Sequence, residues 1–264
     1  MTFNFLYPVK MKKTLSFFCW LLPLFVLAQK DSVLSGPYKW QQPVEKKNGI
    51  SPAVLLEGKV HDFEWLQVTA NSLNPSPKRI QETVPENQEH LIIIKTGTLQ
   101  VGLGDSTFAL NPGSVAVLMP GEKILLNSTN ACSFYRLKYR SKAPKDLERG
   151  KKSGGSFVKL WDAIPFMTNN IGGGRRDFFN KPTAMQKRFE MHVTTLKEGI
   201  KSHEPHTHRA EEIVLILDGE TEMQLGDSIV KTSVGGFYYL GSNVPHAIKN
   251  IGTKPATYFA FQVE

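Results

Sequence analysis

The feature that most constrains this chain is that it repeats itself. Residues His90–Ile124 (HLIIIKTGTLQVGLGDSTFALNPGSVAVLMPGEKI) and Glu212–His246 (EIVLILDGETEMQLGDSIVKTSVGGFYYLGSNVPH) align without a gap at an offset of 122. Gly97 falls on Gly219, Gly104 on Gly226 and Gly113 on Gly235, and Leu-Gly-Asp-Ser recurs at 103–106 and 225–228. A constant offset of this kind marks a duplicated domain. Each copy runs through short apolar stretches separated by glycine-containing turns, with a Gly-Asp hairpin signal after the second stretch. Evenly spaced short strands close into a β barrel or jelly roll, which removes the open edges they would otherwise present.

The 264 residues, 41% hydrophobic, are enough for two such domains with real cores. The formal charge is +8, but three of those charges, Lys10, Lys12 and Lys13, precede Gln29 with no acid to offset them. Without them the balance is 29 basic to 24 acidic residues, and part of that excess sits in residues 142–152. So small an excess, with no recognition-helix, RNP or zinc-finger pattern, speaks for solubility and against nucleic acid as a partner.

The amino terminus reads as a targeting segment. From Met11 the chain runs MKKTLSFFCWLLPLFVLAQKDS: a Lys-Lys start, an apolar run from Leu15 to Leu27, and the small residues of Val26-Leu27-Ala28 where a signal peptidase cuts. The run is too short for a comfortable bilayer span. Residues 1–28 are therefore expected to be a signal peptide, with 1–10 as an upstream start-site extension. The mature chain would begin near Gln29, exported to the periplasm or secreted, with no stable membrane span. Cys19 leaves with the signal, and Cys132 then has no partner, so the core alone must hold the fold. Gln29–Gly58 reads as an arm with turns, and Ser141–Asn180, carrying KKSGGS and IGGGRRDFFN, as a connection with some helix or strand potential.

The chemistry concentrates in KSHEPHTHRAEEIVLILDGE, Lys201 to Glu220, which holds three histidines and three glutamates between His203 and Glu212. Alternate residues of a strand share a face. His206 and His208 therefore project together, Glu212 follows at an even spacing, and His246 would arrive from a neighbouring strand. Three imidazoles and a carboxylate leave positions open on an octahedral ion, and Mn, Fe, Ni, Cu or Zn would each suit the set. The other reading is a solvated histidine-rich rim. His203 falls on the opposite face as a surface histidine, Glu211 as a solvated neighbour, and Glu204 as a loop carboxylate behind Pro205. His61 and His192 read as ordinary packing or surface residues. At the same offset the first copy carries Val84, Glu86, His90 and Ile124, which is too few ligands for a metal. Its expected role is structural.

The order Gly199, His206-Thr-His208, Glu212, Gly219, then Gly235, Gly241, His246 and Asn250 resembles the cupin superfamily. The two motifs of that superfamily read G-x5-HxH-x3/4-E-x6-G and G-x5-PxG-x2-H-x3-N. One extra residue precedes His206 here, and Gly241-Ser242-Asn243 stands in place of Pro-x-Gly. The resemblance implies an all-β chain of two tandem cupin (jelly-roll β-barrel) domains, a bicupin. The expected division is 29–145 for a degenerate amino-terminal cupin domain, 146–180 for a linker and 181–264 for a metal-binding carboxy-terminal cupin domain. The metal ligands it implies are His206, His208, Glu212 and His246, holding one divalent transition metal.

The two-barrel plan with its site in the second copy is similar in architecture to the (S)-ureidoglycine aminohydrolase family, which is Mn-dependent and releases ammonia from a small ureido acid. That family reads Glu-x-His-x3-His with a final Gln, so only His208 of the present set matches. Bicupins with the HxH-Glu-His set include decarboxylases, dioxygenases and sugar-acid isomerases, and a single-barrel family opens unsaturated uronates. The resemblance thus implies metal-dependent hydrolysis, decarboxylation, isomerisation or oxygenation of a small anionic metabolite. The alternative is a non-catalytic, metal-dependent binding or sensing cupin. An anion would want a cation or hydroxyl nearby. Arg175, Arg176, Arg188 and Lys201 are near in sequence, and either Tyr238 or Tyr239 faces inward by alternation. Arg188, Lys201 and Tyr239 are the substrate-binding candidates. Cupins also pair through exchanged strands or sheet edges, which implies a homodimer.

Overall fold

The computed structural model describes residue 1 and residues 32–44, 49–170 and 172–264. The segment read as a signal peptide, with its cleavage point after Ala28, lies almost wholly outside the described residues. The chain enters with β1 (Gly36–Tyr38). The first repeat follows as β2 (Ile50–Gly58), β3 (Phe63–Leu73), β4 (Ser76–Thr83), β5 (Glu89–Thr96), β6 (Leu99–Leu103), β7 (Ser106–Leu110), β8 (Val115–Leu118), β9 (Lys123–Ser128) and β10 (Cys132–Ser141). A short helix α1 (Leu147–Lys152), β11 (Phe157–Lys159) and β12 (Met167–Asn169) come next. The second repeat is β13 (Gly173–Lys181), β14 (Phe189–Leu196), β15 (Glu211–Asp218), β16 (Thr221–Leu225), β17 (Ser228–Thr232), β18 (Phe237–Leu240), β19 (His246–Asn250) and β20 (Ala256–Val263).

The repeat legible in the sequence is a repeat of structure. Strands β5 to β8 and β15 to β18 have the same bounds once 122 is subtracted. The glycines that set the offset turn the chain where no side chain fits. Gly97 (φ 70°) and Gly219 (φ 83°) both lie in the left-handed region. A Cβ on Gly97 would stand 2.2 Å from the Ala131 carbonyl oxygen, and one on Gly219 would stand 2.6 Å from Ala256 Cα.

Each repeat closes two antiparallel sheets into a barrel. The first pairs β11-β8-β5-β10-β3-β2 with β4-β9-β6-β7, and the second pairs β1-β18-β15-β20-β14-β13-β12 with β17-β16-β19. The all-β, two-barrel expectation holds. The middles of the central strands, Leu91–Ile94 in β5 and Ile213–Leu217 in β15, are continuously apolar because both faces are covered. In β15, Val214 and Ile216 face the interior of the second barrel with Met223 and Tyr238. Ile213 and Leu215 face outward into a layer shared with Leu91, Ile93 and Tyr135 of the first barrel. A third layer, with Ile92, Ile94 and Phe134, fills the first barrel. The two large sheets thus pack on each other.

Two short strands cross between the repeats. β1 precedes the first repeat but pairs with β18 of the second, with Gly36 opposite Tyr239. β11 precedes the second repeat but pairs with β8 of the first, with Phe157 opposite Val117. Residues 146–180, read as a linker, therefore contribute strands to both barrels, and the amino-terminal arm contributes one to the second. The strand exchange that the resemblance implies between chains occurs here within one chain.

Candidate metal centre in the second barrel

His206 and His246 are locked together by a two-residue bridge. His206 N donates to the His246 carbonyl at 3.2 Å, and His246 N donates back to His206 at 3.0 Å. His208 lies two residues on, in an irregular stretch before β15 rather than in a regular strand, and its carbonyl accepts from Asn243 N at 2.8 Å. Asn243 is the one non-glycine residue with positive φ (59°) among the described residues, in the Gly-Ser-Asn turn that replaces Pro-x-Gly. Glu212, the second residue of β15, lies at the same mouth and is 8% exposed.

The ring nitrogens of His206, His208 and His246 all lie within 4.8 Å of one another. Two of the rings are fixed from behind. His208 Nδ1 is 2.8 Å from the Ala210 carbonyl, and His246 Nδ1 is 2.8 Å from the Val244 carbonyl. A carbonyl can only accept, so Nδ1 carries the proton and Nε2 is free to ligate. Both Nε2 atoms approach Glu212 Oε2, at 3.0 Å from His208 and 3.4 Å from His246. The buried His246 Nε2 makes no hydrogen bond. A lone pair facing a carboxylate is repulsive unless a cation lies between them, so the donor set fits a bound cation. Burial pushes the Glu212 carboxyl up, but the imidazoles of His208 and His246 beside it outweigh burial and bring it down to about 2. The contact with Glu212 raises His208, whereas desolvation and then the neighbouring histidines lower His206.

His206, Glu212 and His246 form part of the wall of a cavity of about 310 Å³. The opposite wall is β14, where Glu190, His192 and Thr194 alternate inward, joined by Arg175 of β13, Asn169 of β12, and Tyr258 and Gln262 of β20. Arg175 reaches Glu190 at 3.1 Å and also bonds Asp177. Gln262 Nε2 donates to Glu212 at 3.3 Å. His192, read as ordinary packing or surface, lines the cavity, and burial followed by the charge of Arg175 lowers its pKa. The signal that marks this wall is period-two polarity, Glu-x-His-x-Thr, in an otherwise apolar strand.

The three substrate-binding candidates do not line this cavity. Arg188 bonds Glu190, which lines the cavity, and Glu264 at 3.3 Å, while its own side chain lines a separate cleft with Arg149 and Arg209. Lys201 pairs with Glu204 at 3.1 Å. Tyr239 points away from the barrel interior into the layer between barrels, where its hydroxyl donates to Glu211. Tyr238 is the inward tyrosine, and its hydroxyl donates to the Thr221 carbonyl at 3.1 Å rather than facing the cavity. His203 does line the cavity, with its ring 4.1 Å from that of His206.

Glu211, expected to be solvated, is 1% exposed. It accepts from His61 N at 2.7 Å and Asp62 N at 2.9 Å, both in the first repeat. Its counterpart Glu89 accepts from Ala184 N at 3.1 Å, Met185 N at 3.3 Å and the Tyr139 hydroxyl at 2.5 Å. The two carboxylates clasp the barrels reciprocally.

Residues 192–261 match the family model described as Cupin domain. No curated protein matches the chain. Among solved structures, AerE from Microcystis aeruginosa aligns at 15% identity with a TM-score of 0.62, over 86% of this chain and 98% of its own. An oxalate decarboxylase from Lactobacillus farciminis, solved as a formate complex, aligns at 12% identity and TM-score 0.63, over 86% and 85%. A cupin 2 conserved barrel domain protein from Leptotrichia buccalis aligns at 13% identity and TM-score 0.57, over 84% and 92%. Residues 192–261 thus carry a cupin domain, and the chain as a whole shares the fold of these structures. Divalent-metal binding is common in this superfamily, and three histidines here are placed to hold an ion.

Proposed function

We propose that the chain is an exported, metal-dependent enzyme that converts a small anionic metabolite in the second barrel. The observation that carries this reading is the pair of backbone-anchored imidazoles whose free Nε2 atoms face Glu212 and lie within 4.8 Å of a His206 ring nitrogen, beside a cavity of about 310 Å³. His206, His208, Glu212 and His246 would hold one divalent ion, which when bound supplies a Lewis acid for a carboxylate or carbonyl, or for water or O2. Arg175, facing the cavity from β13, supplies the positive charge that an anion needs. Glu190 is held between Arg175 and Arg188 beside His192, whose burial lowers its pKa and favours the neutral ring that can accept a proton. The two-barrel neighbours include an oxalate decarboxylase, so small carboxylates form the first substrate panel. Cleavage after Ala28 and a homodimer complete the proposal.

The test is elemental analysis of protein matured in the periplasm, wild type beside His208→Ala. About one equivalent of Mn, Fe, Ni, Cu or Zn, lost in the variant, is expected. A wild type that holds no metal and takes up none of the five overturns the reading. Turnover of no member of the panel by the loaded protein would favour a binding module. Amino-terminal sequencing decides export, since a mature chain starting at Met1 excludes it.

A further inference from the structure

The first barrel lacks the metal donors, yet its equivalent mouth is not apolar. The strand ladder sets His90 opposite Lys138 as it sets Glu212 opposite Gln262, and Ile92 opposite Arg136 as it sets Val214 opposite Ala260. Where the second barrel has an alanine and a glutamine, the first has two cations. They line a cleft of about 450 Å³ together with Trp65, Glu82, Gln88 and His90.

Arg136 is 5% exposed. Its Nη1 donates to Glu82 Oε2 at 2.6 Å, and its guanidinium lies over the Phe134 ring at 5.7 Å. Its Nε and Nη2 have no partner among the described residues. These two nitrogens form the edge of the guanidinium whose N–H bonds run parallel, the edge that grips a carboxylate or phosphate with two bonds. Leaving it unsatisfied in a buried place is costly, because the donors have lost water and gained nothing. Lys138 adds a second positive charge, and Glu82 is the one carboxylate among the lining residues. His90 shows the imbalance. Burial, then the charges of Arg136 and Lys138, push it down to about 3, so the ring is neutral. Its Nε2 is 3.0 Å from Gln88 Oε1, which leaves Nδ1, also unpartnered, as an acceptor for a ligand hydroxyl.

We propose that this cleft is a second ligand site, which binds a small oxyanion, carboxylate or phosphate, on the Nε–Nη2 edge of Arg136 with Lys138 as the supporting charge. The proposal is independent of the metal reading, since none of these residues belongs to the second barrel.

Isothermal titration calorimetry of the full chain at low salt, with succinate and separately with inorganic phosphate, tests it. The His208→Ala protein serves as background, so that an anion bound through metal does not contribute. Saturable binding of succinate, of phosphate or of both is expected there, and the active arm identifies the ligand chemistry. Arg136→Gln should weaken it by about tenfold or more. Arg136→Lys, which keeps the charge and lacks the fork, should fall between the two. Lys138→Met guards against a misfolded Arg136 variant and should weaken binding several-fold. Binding of neither anion, or binding that Arg136→Gln and Lys138→Met both leave unchanged, overturns the proposal.

Discussion

The two barrels share a backbone plan and differ in what fills one end of it. At the offset of 122, His206, His208, Glu212 and His246 stand against Val84, Glu86, His90 and Ile124. Ile124 and Val84 are 1% and 2% exposed and belong to the apolar filling of the first barrel. His246 is almost as buried, at 4%, but faces a carboxylate. The same position is thus a packing residue in one barrel and one of three clustered histidines in the other. What keeps the fold constant lies elsewhere, in the left-handed glycines and the doubly covered central strands. Chemistry in this architecture is a matter of a few side chains at the mouth, so one copy can lose it without losing its shape.

The sharpest way to break the comparison is to truncate that shared position in each barrel. Ile124→Ala removes packing from a sealed interior and should cost about 2–5 kcal/mol of stability while leaving metal content unchanged. His246→Ala should instead lower metal affinity by at least about 100-fold, since an anchored donor is lost. Urea unfolding and elemental analysis on both variants read the two effects. Metal loss in Ile124→Ala would show that the barrels are not separable in function.

The reciprocal carboxylates offer a comparison in which the barrels should behave alike. Glu89 and Glu211 each accept two backbone N–H bonds from the other repeat and one tyrosine hydroxyl. Removing either leaves buried donors without a partner, so Glu89→Ala and Glu211→Ala should each destabilise by about 1–3 kcal/mol. Glu211 adjoins Glu212 but points to the opposite face, so its loss should leave the metal in place. If Glu211→Ala empties the site, the clasp positions the metal centre as well as joining the barrels.

The repeat, the barrels and the gathering of His206, His208 and His246 were legible because each rests on a local rule: glycine at positive φ, apolar runs in covered strands, histidines at fixed spacing. What stayed hidden depends on which surface a face meets. Alternation says that Glu211 and Tyr239 point away from the barrel interior, but not that a second sheet covers them. Arg188 and Lys201 are near the cluster in sequence, yet each is engaged by a carboxylate outside the cavity. The crossing of β1 and β11 pairs segments more than 200 residues apart in one case and about 40 in the other, and nothing in three-residue strands announces their partners. The cation pair of the first barrel was visible as residues but not as neighbours, because its meaning lies in the ladder that sets Lys138 against His90.

That ladder position gives the smallest effect and separates the barrels by pH. His90 has a folded pKa of about 3 against an ordinary value of 6.5, from burial and then the charges of Arg136 and Lys138. The unfolded chain therefore takes up a proton first as pH falls. The contribution of a neutral His90 is intact above 6.5 and is lost as pH falls towards 3, by about 1.4 kcal/mol per unit. Glu212, at the equivalent position, has the opposite chemistry. Its folded value of about 2 lies below the ordinary 4.5, so its contribution is intact above 4.5 and is lost as pH falls from there towards 2. Between 6.5 and 4.5 the first barrel should weaken through His90 while the second keeps the benefit of Glu212. Urea unfolding of chelator-treated protein at about pH 7, 6 and 5 should show a stability slope that His90→Gln flattens and Glu212→Gln does not. An unchanged slope in His90→Gln would mean that the first-barrel cleft is wetter than its burial implies, and that Arg136 and Lys138 are screened there rather than held against one another.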